Sequence, residues 1–302
     1  MNRSVRIPAF AKVNLGLRVL RKRADGFHEL RTIFQAIGLH DVIELAFVGG
    51  RGVILETKSP DVPVGAENLV WRAVGLCRSE WKVRRGVRVR LEKRIPVGRG
   101  LGGGSSDAAA TIIGMLRLTG KQVPIGRLME MAASLGSDVP FFLFGGRALG
   151  AGRGEEIYPL TDALKRSILV VSPRGIAVST ADAYRRLSPT LTNDAIAHKI
   201  YGFCTLCWNP REGGLPNDFE AAVFERHPRL RVIQRALVRH GAAEAALAGS
   251  GSAVFGVFRN PAQARRAARQ FTDDQVFVSE TLTRDECARA WRWRAVSRAG
   301  SA

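Results

Sequence analysis

A two-domain chain of mixed α and β structure is what this sequence predicts, on three observations. Its 302 residues exceed the common size of one domain and divide naturally into two of about 150. Strictly alternating segments, residues 86–95 above all, read as half-buried strands, and segments with apolar groups at helical spacing, such as 68–82, stand between them. A composition that is 46% apolar gives ample material for buried cores.

The elements follow in order. Residues 7–19 predict a strand that carries Lys12 and Asn14, two apart, on one face. Residues 21–28 (RKRADGFH) form a turn on Asp25-Gly26, and 29–45 return as an extended segment to a second turn at Gly49, Gly50 and Gly52. Leu69, Val70, Ala73, Val74 and Leu76 set a helix over 68–82. The strand over 86–95 turns Val87, Val89 and Leu91 inward and Arg88, Arg90 and Glu92 outward. A glycine-rich loop leads into helices over 107–118 and 125–135, the second closed by Gly136. Strands are expected over 141–148 and 157–160, separated by the glycines of 150–154, and again over 167–172. The remainder is mixed, with helices near 228–240 and 261–271 and a second glycine-serine loop, Gly249-Ser-Gly-Ser252, that opens into a strand. There is no internal repeat. A boundary between residues 158 and 172 divides the chain into domains 1–160 and 161–302.

No stretch approaches the ~20 apolar residues of a membrane helix, and the first residues are too short and polar a run for a signal peptide. A cytoplasmic location is expected. Four cysteines are scattered; Cys204-Thr-Leu-Cys207 has half a zinc spacing without a second half, so reduced, incidental thiols are expected and no metal ligand is assigned. The net charge is +19, yet eight of the 46 basic residues are lysine, the rest are arginine, and no long basic run occurs. Charge spread this evenly fits a solvated surface that attracts anionic substrates, against specific nucleic-acid binding.

The loop Pro96-Val97-Gly98-Arg99-Gly100-Leu101-Gly102-Gly103-Gly104-Ser105-Ser106 carries the chemistry. Glycine allows positive φ and close approach of backbone N–H groups to a ligand. Ser105 and Ser106 stand where the helix should begin, able to cap it, and free amides at a helix start bind anions. A phosphate chain suits this combination. Gly98-x-Gly100-x-x-Gly103 lacks the acidic residue of a dinucleotide fold some twenty positions on. A Gly-Lys-Ser/Thr triplet is absent, as are the companion motifs of protein kinases.

The stretch 96–109 resembles the ATP loop of the GHMP kinase superfamily. Pro8-Ala-Phe-Ala-Lys-Val-Asn-Leu-Gly-Leu17, Arg23-Ala-Asp-Gly-Phe-His-Glu-Leu30, Leu135-Gly-Ser-Asp-Val-Pro-Phe-Phe142 and Gly249-Ser-Gly-Ser-Ala253 are similar to segments of its 4-diphosphocytidyl-2-C-methyl-D-erythritol kinase family. That resemblance implies an α+β fold with a ribosomal-S5-domain-2-like N-terminal domain, a ferredoxin-like C-terminal domain and the active site in the cleft between them. It also implies ATP-dependent phosphorylation of the 2-hydroxyl of a CDP-linked branched polyol, in the non-mevalonate route to isoprenoid precursors. The chain would act as a monomer or homodimer, away from membranes.

The same resemblance assigns roles. Asp138 matches the catalytic aspartate; its other reading is a helix cap before Pro140. Lys12 matches the catalytic lysine, able to keep Asp138 ionised and offset charge on the transferred phosphoryl group, and Asn14 could bond the polyol. His28 and Phe27 match the cytosine-recognising positions, Phe27 standing where tyrosine is common. Tyr184 fits a second aromatic wall and Thr180 a substrate contact. Arg99 departs from the small residue usual in the loop, facing either solvent or ATP. Mg²⁺ is expected with ATP, though no carboxylate identifies itself as its ligand. Two other readings stay open: a homoserine- or mevalonate-type kinase of the same superfamily, and a non-catalytic RNA-binding protein on a similar fold.

Overall fold

Two sheets carry the fold in the computed structural model, which describes residues 4–187, 198–204 and 215–293. The first contains β1 (Ser4–Lys22), β2 (His28–Val48), β3 (Val53–Thr57), β4 (Gly86–Glu92), β5 (Arg147–Ala151) and β6 (Glu156–Pro159). Its order is β3-β4-β2-β5-β6, with β1 also paired to β2. All its pairs are antiparallel except β3–β4, a parallel pair linked through α1 (Leu69–Glu80). Asn68 starts α1 by accepting from the Val70 N–H. Beneath the sheet lie α2 (Gly103–Thr119) and α3 (Ile125–Leu135). Apolar residues cover α2 nearly all round, as a central helix requires. It lies so close to the sheet that a Cβ on Gly114 would come within 2.3 Å of Leu45.

The second sheet is wholly antiparallel, in the order β10-β7-β9-β8, from β7 (Ser167–Ser172), β8 (Glu244–Leu247), β9 (Val254–Phe258) and β10 (Gln275–Glu280). Around it stand α4 (Thr180–Leu187), α6 (Glu220–Arg226), α7 (Pro228–Arg239) and α8 (Pro261–Ala268), whereas α5 (198–204) lies against the first sheet, with Phe203 packed on Ile33 and Lys199 Nζ donating to the Val19 carbonyl. The fold is thus the two-part α+β architecture expected. Its two parts share a buried seam, in which Ala11, Val13, Ile37 and Leu101 meet Ile168, Val170, Ala246 and Phe255. The helix α9 (Arg284–Trp291) returns to the first core, where Cys287 and Trp291 are buried and the Trp291 indole donates to the Pro8 carbonyl at 2.9 Å.

Two expectations need correction. The segment 141–148 is not one strand: Pro140–Leu143 form a 3-10 turn, and β5 starts only at Arg147. Pro140 opens the turn, Phe141 and Phe142 are both buried where a half-buried strand would alternate, and Gly145 and Gly146 reverse the chain at φ +65° and +66°. The helix expected from residue 107 already begins at Gly103.

Cys77 and Cys287 are buried, which pushes both thiols up, Cys287 to about 12; Cys204 is exposed and Cys207 lies outside the described residues. Among the described residues no helix is long and apolar enough to cross a membrane.

Candidate active site

The glycine loop is fastened at both ends. At its root the fully buried Asp41 accepts from the backbone N–H groups of Arg94 and Ile95 and from Lys93 Nζ. Farther along, Lys12 N–H donates to the Leu101 carbonyl at 3.0 Å. Gly98, Gly100 and Gly102 hold φ of +68°, +80° and +71°. A Cβ on Gly100 would fall 1.8 Å from the Ala248 carbonyl oxygen, so only glycine lets this loop lie against the second glycine loop. Arg99 is half-buried on the wall of the loop's cavity, where its guanidinium donates to Ser252 Oγ at 2.6 Å, and Ser252 Oγ donates on to the Ile176 carbonyl. The unusual arginine ties the two glycine loops together.

No hydroxyl caps α2, contrary to the role expected of the serines. Its first residue is preceded by Gly102 in the left-handed region, with no side-chain cap bond. The first-turn amides therefore have neither an intrahelical acceptor nor a cap, which leaves them to an anion. They open on a cavity of about 350 Å³ lined by residues 96–105, Asp107, Lys93 and the apolar rim of Val62, Pro63 and Leu69 beside Asn68. Ser106 is buried in α2, its N–H on the Gly102 carbonyl, and does not line that cavity. The cavity thus offers free amides to an anionic group and an apolar rim to a flat ring.

Lys12, from β1, and Asp138, from the turn after α3, meet beside the loop with Nζ 3.7 Å from Oδ2. Asp138 is not a cap, since the 3-10 turn begins after Val139 without a side-chain cap bond. Burial holds the Lys12 amine below the ordinary lysine range, and the Asp138 charge only partly restores it. Lys12 Nζ donates to Asn14 Oδ1 (2.8 Å), Asn14 Nδ2 to Thr32 Oγ1 (2.8 Å), and Thr32 Oγ1 to the Gly16 carbonyl (2.8 Å). This chain fixes the ammonium, and Asn14 acts on it directly.

Beyond Asp138 the cleft widens into two adjoining cavities. The inner, about 250 Å³, holds Lys12, Asn14, Thr32, Gly100 and Gly249. The outer, about 740 Å³, holds Phe27, His28, Ser105 and Tyr184. His28 and Tyr184 stack at 4.7 Å and 21°, and Tyr184 stands edge-on against Phe219. Burial and Lys22 hold the His28 imidazole below its ordinary value, so it is neutral near pH 7. Phe27 is half exposed, with the Arg153 guanidinium 4.8 Å above its ring. Thr180 Oγ1 lies 2.8 Å from Ser250 Oγ, joining α4 to the second glycine loop.

Lys12, Asn14, Phe27, His28, residues 96–105, Asp138, Thr180 and Tyr184 thus line one cleft. Sequence reasoning missed Thr32, Asp41, Asn68, Lys93, Asp107 and Arg153. Only Lys93 and Asp107, which flank the loop on either side, carried a positional hint.

A glycine loop feeding a helix beside a lysine–aspartate pair defines a small-molecule kinase of the GHMP class. The family model described as GHMP kinases N terminal domain matches residues 68–146, and GHMP kinases C terminal matches 205–275. The 4-diphosphocytidyl-2-C-methyl-D-erythritol kinase of Solibacter usitatus is 46% identical over 300 residues, covering 98% of this chain and 94% of that protein. Its counterpart from Moorella thermoacetica is 42% identical, over 91% of this chain and 98% of its own length. A crystal structure of 4-(cytidine 5'-diphospho)-2C-methyl-D-erythritol kinase superposes with a TM-score of 0.76 at 34% identity, covering 92% of this chain and 99% of that one. Homoserine kinase from Cytophaga hutchinsonii, 18% identical over 93% of this chain and 95% of its own, shares the fold at a TM-score of 0.73. The chain belongs to the 4-diphosphocytidyl-2-C-methyl-D-erythritol kinase family.

Proposed function

We propose that this enzyme transfers the γ-phosphoryl group of ATP to the 2-hydroxyl of 4-diphosphocytidyl-2-C-methyl-D-erythritol. The observation that carries the reading is the Lys12–Asp138 contact of 3.7 Å, set between the uncapped start of α2 and a cleft ending in His28 and Tyr184. A tertiary alcohol is a hindered nucleophile, so proton removal and alignment both count. Asp138 accepts the hydroxyl proton. Lys12, oriented by Asn14, keeps Asp138 ionised and offsets charge at the transferred group. The amides of Gly103, Gly104 and Ser105 hold the triphosphate, and the Val62–Leu69 rim receives its base. His28 and Tyr184 receive the cytosine. When bound, ATP supplies the phosphoryl group and Mg²⁺ its counter-charge. No three His, Cys, Asp or Glu side chains that could hold a metal gather among the described residues, and magnesium commonly binds chiefly through substrate phosphates and water; Ser105, which lines both the loop cavity and the outer cavity, would help hold it. The two sheets support a division into 1–160 and 161–302, with α9 swung back, and the reaction belongs in the cytoplasm.

A coupled ADP-release assay tests the proposal. Wild type should turn over the CDP-linked substrate and leave homoserine and mevalonate untouched. Asp138→Asn should still bind ATP but lose roughly 10²–10⁴-fold in kcat. Turnover of homoserine or mevalonate at a comparable rate, or an active Asp138→Asn, would overturn it.

A further inference from the structure

The two cavities beyond the glycine loop meet at Asp138, Arg153, Thr180 and Tyr184, which line both. Arg153 is the one cation among these shared residues. One end of the combined space holds the aromatic groups Phe27 and His28, the other Lys12 and Asn14. A substrate that puts a base at the first end and a hydroxyl at the second must thread its linking groups through the junction. In a CDP-linked polyol those linking groups are two anionic phosphates, and the Asp138 carboxylate at that point repels them.

Arg153 is built to answer that charge. It lies on the tight bend between β5 and β6, flanked by Gly152 at φ +66° and Gly154 at φ +112°. Glu155 grips it twice: the Arg153 backbone N–H donates to Oε2 at 2.7 Å and Nε donates to Oε1 at 3.1 Å. The Phe27 ring lies under the guanidinium plane. Neither Nη1 nor Nη2 makes a hydrogen bond among the described residues. Two parallel donors, already oriented and still unspent, are what bidentate phosphate recognition uses. The bend also sits against the catalytic carboxylate, since a Cβ on Gly154 would lie 3.6 Å from Asp138 Oδ1.

We infer that Arg153 binds the diphosphate of the nucleotide-linked substrate and sets the enzyme's preference for a diphosphate over an uncharged nucleoside. The inference rests on the proposed CDP-linked substrate and adds to it a residue and a selection rule. Glu155 and Phe27 are positioning residues for the guanidinium.

The test is calorimetric binding of CDP and of cytidine, with ADP and Mg²⁺ saturating the glycine loop, to wild type, Arg153→Ala and Arg153→Lys. In Arg153→Ala, CDP should weaken by roughly 10–100-fold, as loss of a charged hydrogen-bonding pair predicts, while cytidine stays within about twofold. Arg153→Lys should recover part of the loss, by charge without the fork. In turnover, KM for the CDP-linked substrate should rise while KM for ATP holds. Equal weakening of CDP and cytidine, or none, overturns the role of Arg153 and leaves the proposed reaction standing. A wild type that binds neither CDP nor cytidine overturns the proposed substrate, and the inference with it.

Discussion

Two buried lysines stand on opposite sides of the glycine loop, and their surroundings differ in one respect. Lys12, 5% exposed, faces a single carboxylate at 3.7 Å, and that carboxylate is itself 34% exposed. Lys93, 7% exposed, lies between Asp41 and Asp107, both essentially without solvent contact. Burial lowers both amines. Asp138 does not make good the loss at Lys12, which stays below the ordinary lysine value, whereas Asp107 and Asp41 together lift Lys93 above it. One ammonium is left sensitive to charge arriving in the cleft. The other is locked as a strut under the root of the ATP loop.

The largest effect should come from breaking the strut. Lys93→Met leaves Asp41 and Asp107 buried without their shared cation, and removing one partner of a buried pair costs roughly 3–5 kcal/mol. Denaturant unfolding should record that loss. Because Asp41 also holds the Arg94 and Ile95 amides, KM for ATP should rise in the folded fraction. A loss below about 1 kcal/mol would make Lys93 no strut at all.

Lys12→Met should do the reverse. It removes a buried charge that the fold disfavours, so stability near pH 7 should move by less than about 1 kcal/mol, while kcat falls roughly 10²–10³-fold. The two lysines also predict opposite alkaline behaviour. The folded pKa of Lys12 lies below its unfolded value, so its penalty holds at low pH and disappears as pH climbs from that folded value toward 10.5. Lys93 has a raised folded pKa, so its contribution is full below 10.5 and is lost as pH rises through the folded value. Wild-type kcat/KM, which reports the free enzyme, should therefore fall along an alkaline limb centred below 10.5 that Lys12→Met lacks.

How far such contrasts were readable beforehand depends on the range of the interaction. Glycine spacing, the alternation over 86–95 and the helical spacing over 68–82 report local conformation, and β4, α1 and the loop appear close to where they predict. Lys12 and Asn14, two apart on one strand, were expected on one face, and they are hydrogen-bonded. The failures are long-range or compound. Nothing in the loop itself says that Arg99 reaches Ser252, 153 residues away, or that α9 returns to β1. Asp41 and Asp107 carry no periodic mark, because a buried ion cluster looks in sequence like isolated surface acids. At 140–148 a proline, two aromatics and two glycines mimic the apolar density of a strand, while buried neighbours at successive positions belong to a tight turn.

The smallest effect probes the strut's own charge balance. Asp41, Lys93 and Asp107 bring two carboxylates and one ammonium out of water, one negative charge too many. Asp41 has three donors, but Asp107 Oδ1 has no hydrogen-bond partner, so Asp107 is where a proton settles. Burial pushes it up to about 8 against the opposing pull of Lys93. Its unfolded form gives up the proton near the ordinary 3.8, while the folded form keeps it to about 8, so this group lowers stability progressively as pH rises between those values. Asp107→Asn cannot ionise. Its stability relative to wild type should climb as pH rises from 5 through about 8 and level off above that, read from urea midpoints at several pH values. If the two unfold in parallel across that range, Asp107 is ionised in both limits and Lys93 is held by two full charges. If they diverge, Lys93 at neutral pH has one ionised partner, as Lys12 has, and what separates them is that Asp41 spends its lone pairs on the backbone of the loop while Asp138, in the proposed reaction, keeps one free for a substrate proton.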